Sequence, residues 1–224
     1  MQKFDLTIKE IIDVKSEITK FVSFEFDILR ELEKNNLKFI LKKLVFMKYL
    51  ARQVSWDYRV NAISSDIMYL IRSIQTGEER YYYFNLRSII EHILRIVNDI
   101  DSTNTITNSD IMELTQELIT LKKADINLAL IKDEYTKSCL FIHGSEKAGM
   151  DLAVFYQNCL EEKGMIKDVS VKLNVLVKLL NELFNLILIS QNSNIDAAFF
   201  GRKTVLKYLI GDSSYSIFEK YQED

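Results

Sequence analysis

The chain has no proline and only six glycines in 224 residues. A β-rich or loop-rich fold of this size draws on both residues for its turns, so long helices joined by short polar connections are expected. Two cysteines, Cys139 and Cys159, exclude a disulfide framework. Neither charge sign dominates: 29 basic residues face 32 acidic ones, for a net charge of −3. A global electrostatic commitment to nucleic acid or to an anionic membrane is thereby excluded, although a local patch is not. The opening "MQKFDLTIKEIIDVK" carries no apolar run of the signal-peptide kind. The most apolar run, "LNVLVKLLNELFNLILIS", is interrupted by Lys178, Asn181, Glu182 and Asn185. A spanning helix needs about 20 nearly unbroken apolar residues, so this run is expected to be a buried bundle helix, in a cytoplasmic protein without a membrane partner.

What is present is apolar periodicity. Apolar residues make up 48 % of the chain and charged residues 27 %, and the apolar positions recur at three- and four-residue spacing almost everywhere. The pattern predicts helices over about 7–22, 24–54 (with a possible break at Glu33 to Asn36), 58–75, 79–99, 110–122, 124–143, 150–163, 167–191 and 195–210. Thr76 and Gly77 stop the third helix, and Thr107 or Ser109 caps the fifth. The final "DSSYSIFEKYQED" is weakly patterned and reads as a mobile or docking tail. No repeat or linker divides the chain. An all-α antiparallel helical bundle in one compact domain is expected, with N-terminal helices in 1–57, a central part in 58–145 and C-terminal helices in 146–224.

The polar residues of "YYYFNLRSIIEHILRIV" (81–97) need an explanation, because this helix is otherwise built for burial. Leu86, Ile89, Ile90, Ile93, Leu94, Ile96, Val97 and Ile100 fill an arc of roughly 160° at 100° per residue. Arg87 lies just past one edge of that arc, and Glu91 and Arg95 follow at i+4 and i+8, the spacing of an Arg–Glu–Arg ladder. Such a stripe is either a salt-bridged border between core and solvent or the wall of a groove where a guanidinium grips a phosphate. His92 stands about 140° round the helix from Arg87. A regular helix does not let the two converge on one atom, so a site using both needs a distortion or a two-fold partner.

The second histidine closes "DEYTKSCLFIHGSEKAG", where Tyr135, Cys139 and His143 run i, i+4, i+8 with Ser138 beside them. His143 at a helix end interacts with the dipole or acts as a general acid/base. Cys139 and His143 have zinc-ligand spacing, but neither His92 nor Cys159 brings a local second ligand, so no metal or cofactor is expected. Phosphate-cradling glycine loops and nucleophile elbows are absent. Lys38, Lys42, Lys43, Lys48, Arg52 and Arg59, with Tyr49, Trp56 and Tyr58, form a basic and aromatic stretch, either a solvated helix face with core aromatics or a nucleic-acid contact.

Two segments together resemble bacterial HEPN-like helical proteins, a superfamily with ribonuclease, toxin–antitoxin and phage-defence members. The first is the "Leu-Arg-Ser-x-x-Glu" signature, here Leu86, Arg87, Ser88 and Glu91. The second is "Tyr-x-x-Ser-x-x-x-x-His-Gly", here Tyr135, Ser138, His143 and Gly144. Ribonucleolytic members carry Arg followed after four to six residues by His, a spacing met by Arg87 and His92. Active members usually place Asn, Asp or His after that arginine, where this chain has Ser88. The resemblance implies a homodimer that binds or cleaves RNA without a metal, and an antitoxin or other partner protein. It implies Arg87, Glu91, His92 and His143 as catalytic candidates, and Tyr135, Ser138 and Arg95 as substrate contacts. A non-catalytic module binding a protein or a nucleotide is the alternative.

Overall fold

The structure, a computed structural model, describes residues 2–53, 58–101, 103–143 and 164–222, and within these the side chains of 7–51, 58–101, 103–142 and 164–222. All regular structure among them is helical: α1 Gln2–Glu25, α2 Glu31–Gln53, α3 Arg59–Thr76, α4 Glu79–Val97, α5 Asn108–Lys122, α6 Leu128–His143, α7 Val169–Ser190, α8 Asn192–Ala198, α9 Lys203–Ile210 and α10 Asp212–Lys220. The expected helix over 150–163, and with it Cys159, lies outside the described residues, as do Trp56 and Gly144.

Four helices make the centre: α2 packs on α3, α3 on α4, α4 on α7, and α7 back on α2. The tight turn at Gly77 makes α3 and α4 antiparallel. Gly77 sits at φ 72° and donates its N–H to the Ser73 carbonyl, closing α3 in a left-handed conformation that glycine tolerates. The start of α7 meets the starts of α2 and α4 through Asn36–Asn174 and Lys172–Glu79 bonds, each 2.8 Å. Its end meets the end of α4, where Gln191 donates to the Ile96 carbonyl at 3.0 Å, so α7 runs parallel to both. Outside this centre, α1 and α9 cover α2, α5 and α6 cover α4, and α10 covers α7. Buried apolar side chains from Ile18 to Phe218 form one contiguous core.

The expected apolar arc of α4 is the core face, with all eight side chains buried. Helix α7 is apolar and long enough to cross a bilayer by composition alone, with a mean hydropathy of 1.6. Its leucines at 173, 176, 179, 180 and 183 are buried against the neighbouring helices, which accounts for that composition.

Three expected boundaries differ. The chain breaks at Phe26–Arg30 and runs helically through Glu33–Asn36. Glu33, three residues inside α2, accepts the Arg30 backbone N–H at 2.9 Å, which is helix-start chemistry, while Phe26 and Leu29 drop into the core. The polar run thus caps α2 and docks it on α7, since Ser170 donates to Glu33. The helix expected over 195–210 is two helices, separated by Phe199–Arg202 with Gly201 at φ 70°. The weakly patterned tail is neither loose nor a free docking segment. It folds into α10, with Phe218 wholly buried and Tyr221 donating to the Lys122 carbonyl at 3.1 Å.

Candidate functional site

Helices α4 and α6 lie antiparallel. Tyr83 stacks on Phe141 with ring centroids 3.9 Å apart, and Arg80 donates to the Ile142 carbonyl at 3.3 Å. Two turns further along α4, the same packing brings Arg87 and Glu91 beside Tyr135. Arg87 Nε, Tyr135 Oη and Asn108 Nδ2 all donate to one atom, Glu91 Oε1, each at 2.8 Å. Asn108 also donates to Tyr135 Oη at 2.6 Å. The Arg87 guanidinium stands 5.7 Å from the centre of the Tyr135 ring, and Cys139, one turn on from Tyr135, is half-buried alongside.

Electrostatics keep Tyr135 and Arg87 in their donor forms. Burial, then the bond and charge of Glu91, push the Tyr135 phenol above its ordinary range, so it stays protonated and donating at neutral pH. Burial acts to lower the Arg87 pKa, but the bond and charge of Glu91 outweigh it and leave it raised. About a quarter of each of these two side chains is exposed (27 % and 26 %), so the pair sits at a rim rather than in the core. An arginine with Nε tied to a carboxylate has a fixed guanidinium plane, a suitable arrangement for meeting a planar or tetrahedral oxyanion.

Half of the expected ladder forms. Glu91 Oε1 is taken by Arg87, Asn108 and Tyr135, and Arg95 turns instead to the Asn104 and Ile106 carbonyls at 3.4 and 3.3 Å. Arg95 therefore holds the loop before α5, whose Thr107 and Asp110 form a reciprocal capping box, and so places Asn108 over Glu91. Ser138 is fully buried and donates to its own helix at the Glu134 carbonyl, 2.7 Å away. That bond and burial make it a packing residue of α6.

His92 belongs to a different face. Ser88 donates to Asp66 of α3 at 2.7 Å. Burial raises the Asp66 pKa, with the Ser88 bond and the nearby His92 charge opposing. The His92 ring lies edge-on to Tyr58, centroids 6.2 Å apart. Arg87 and His92 thus address different neighbours, α5 and α6 for the first and α3 for the second. His143 ends α6 at the level of Arg80, seven residues or about 10 Å of helix rise from Arg87; its side chain lies outside the described residues.

Asn108 and Asp66 were not expected. Nothing local marks them, and they join the polar centres only because α5 and α3 fold against α4. The basic stretch disperses: Lys43 and Arg59 are buried and donate to the Ile210 and Ile100 carbonyls, while Lys48 is exposed. Tyr49 is tied to Glu10 at 2.5 Å. Among the described residues no three histidine, cysteine, aspartate or glutamate side chains are grouped as a metal would require.

Comparison with protein-family models, with curated proteins and with solved structures gives no significant match.

Proposed function

We propose that the chain is a HEPN-like helical protein that acts on RNA, with the Arg87–Glu91–Asn108–Tyr135 centre as its phosphate-facing site. The observation that carries this reading is the Tyr135–Glu91 bond, which joins two motif segments 44 residues apart at one oxygen. Glu91 orients Arg87, Tyr135 and Asn108 hold Glu91, and Arg87 meets a backbone phosphate at the rim. Cleavage by the neighbouring 2′-hydroxyl needs one group to take its proton and one to protonate the departing 5′-oxygen. In this reading His143 serves there and His92 does not, since His92 packs by Asp66 and Tyr58. A homodimer brings a second copy of the centre.

The test is RNA cleavage and RNA binding by purified protein. Arg87→Ala and His143→Ala should abolish cleavage while His92→Ala retains it, with circular dichroism confirming folding in all three. Unchanged cleavage and binding in folded Arg87→Ala sinks the reading. A second reading, a non-catalytic binding module, is favoured by the three donors that saturate Glu91 Oε1. In that case Arg87→Ala lowers the melting temperature and leaves RNA affinity where it was.

A further inference from the structure

Lysines gather without counter-charge on the opposite side of the bundle. Lys15 of α1 and Lys38 and Lys42 of α2 line a cleft of about 460 Å³, completed by Tyr208 of α9. The lining positions of α2 (Asn35, Lys38, Phe39 and Lys42) fall at i, i+3, i+4 and i+7, one stripe of the helix. Thr19 and Ile18 extend the wall on α1. No carboxylate lines the cleft, and among the described residues none of the three lysines makes an ion pair. The Lys42 ammonium sits 4.1 Å from the centre of the Tyr208 ring. Burial and then the charge of Lys15 hold the Lys42 pKa below its ordinary value. Burial keeps the Tyr208 phenol protonated and able to donate at neutral pH.

We propose that this cleft binds a small ligand carrying adjacent phosphates, a diphosphate of nucleotide size. Three ammoniums with the Thr19 and Tyr208 hydroxyls and the Asn35 amide form a donor set without competing acceptor charge. Lysine suits phosphate as a mobile point charge. A dianion between Lys15 and Lys42 converts their repulsion into attraction. Ile18 and Phe39 add an apolar floor for a base or ribose, and the volume falls within the range of small-ligand sites. The site is built on α1, α2 and α9 and does not depend on the RNA reading of α4 and α6.

Isothermal titration with inorganic pyrophosphate and with ADP tests it, using the full chain at physiological salt. Binding of either probe is expected, with Lys38→Gln and Lys42→Gln each losing about tenfold in affinity, the scale of one charge-assisted contact. Lys48→Gln, on an exposed part of α2, is expected to bind as the wild type does. These exposed or half-exposed substitutions should leave the melting temperature within about 2 °C, which confirms folding. No heat from either probe up to about 10 mM overturns the proposal. So does an equal loss in Lys48→Gln, which reduces the effect to net charge. A 5′-hydroxyl oligoribonucleotide that displaces ADP and binds more tightly at the same lysines also overturns it, making the cleft a strand-binding surface.

Discussion

Lys43 is an amine in the core, and replacing it with methionine should stabilise the protein in a strongly pH-dependent way. The side chain is fully buried, donates to the Ile210 carbonyl at 3.2 Å, and lies between the Phe39 and Phe184 rings, 4.8 and 5.5 Å from their centres. Burial, with a smaller contribution from the Lys42 charge, lowers its pKa from 10.5 to about 7. Between those values the unfolded chain holds a proton that the folded chain does not, so stability rises with pH across the window. Below pH 7 the folded state carries the whole cost, and 3.5 pKa units correspond to about 5 kcal/mol. Methionine keeps the stem volume and removes the charge, at the loss of about 1 kcal/mol for the Ile210 hydrogen bond. Lys43→Met should therefore gain about 4 kcal/mol at pH 6 and only about 1 at pH 9, and should fall below the wild type above about pH 10. Urea denaturation of both proteins at pH 6, 7.5, 9 and 10.5 measures the difference, and the raised tyrosines cancel because both proteins share them. A difference that stays constant across pH 7–10, or a variant less stable at every pH, refutes the reasoning.

Two further outcomes test other parts of the fold. Glu33 accepts from Arg30 at 2.6 Å and from Ser170, and these bonds, Arg30 first, pull its carboxyl down to about 2. Its contribution, about 1–2 kcal/mol, is complete above pH 4.5 and is lost as pH falls toward 2; Glu33→Gln should flatten the acid limb of a denaturation curve between those values, and an unchanged limb would be inconsistent with a native bond there. Phe218 is wholly buried in α10; Phe218→Ala should cost about 3–5 kcal/mol by thermal or chemical denaturation, and a loss under about 0.5 kcal/mol, the level of a surface change, would return the C-terminal segment to the status of a loose tail.

The class of fold was legible because apolar periodicity and missing proline depend only on local chain geometry. Leu86 to Ile100 reads as a core arc from spacing alone, and the structure buries it. Boundaries were less legible where tertiary contacts override local polarity. Glu33 and Asn36 look like a break in sequence, yet their partners, Ser170 and Asn174, lie about 140 residues away. The tail misled for the converse reason: Tyr215, Phe218 and Tyr221 are too few to make a strong apolar stripe, but Phe218 enters the completed core, Tyr215 packs against it and Tyr221 is held by the Lys122 carbonyl. Lys43 reads as one of several surface lysines until α7 and α9 close over it.

The polar centre divides in the same way, and the division bears on mechanism. Helix spacing already placed Arg87 and Glu91 on one stripe and His92 well round from it. What spacing could not supply was the depth of each face. Glu91 gains two donors from α5 and α6, Arg95 leaves the stripe to hold the loop that delivers Asn108, and Ser88 and His92 turn toward Asp66. Helix α4 therefore presents two polar neighbourhoods of opposite character. One is a rim-exposed cation locked by a carboxylate, suited to a phosphate. The other is a carboxylate of raised pKa beside a histidine and a tyrosine, suited to no anion. A phosphate that approaches α4 has one face to choose, and any chemistry there must take its proton-transfer partner from α6 or from a second chain, because the histidine on α4 itself is turned the other way.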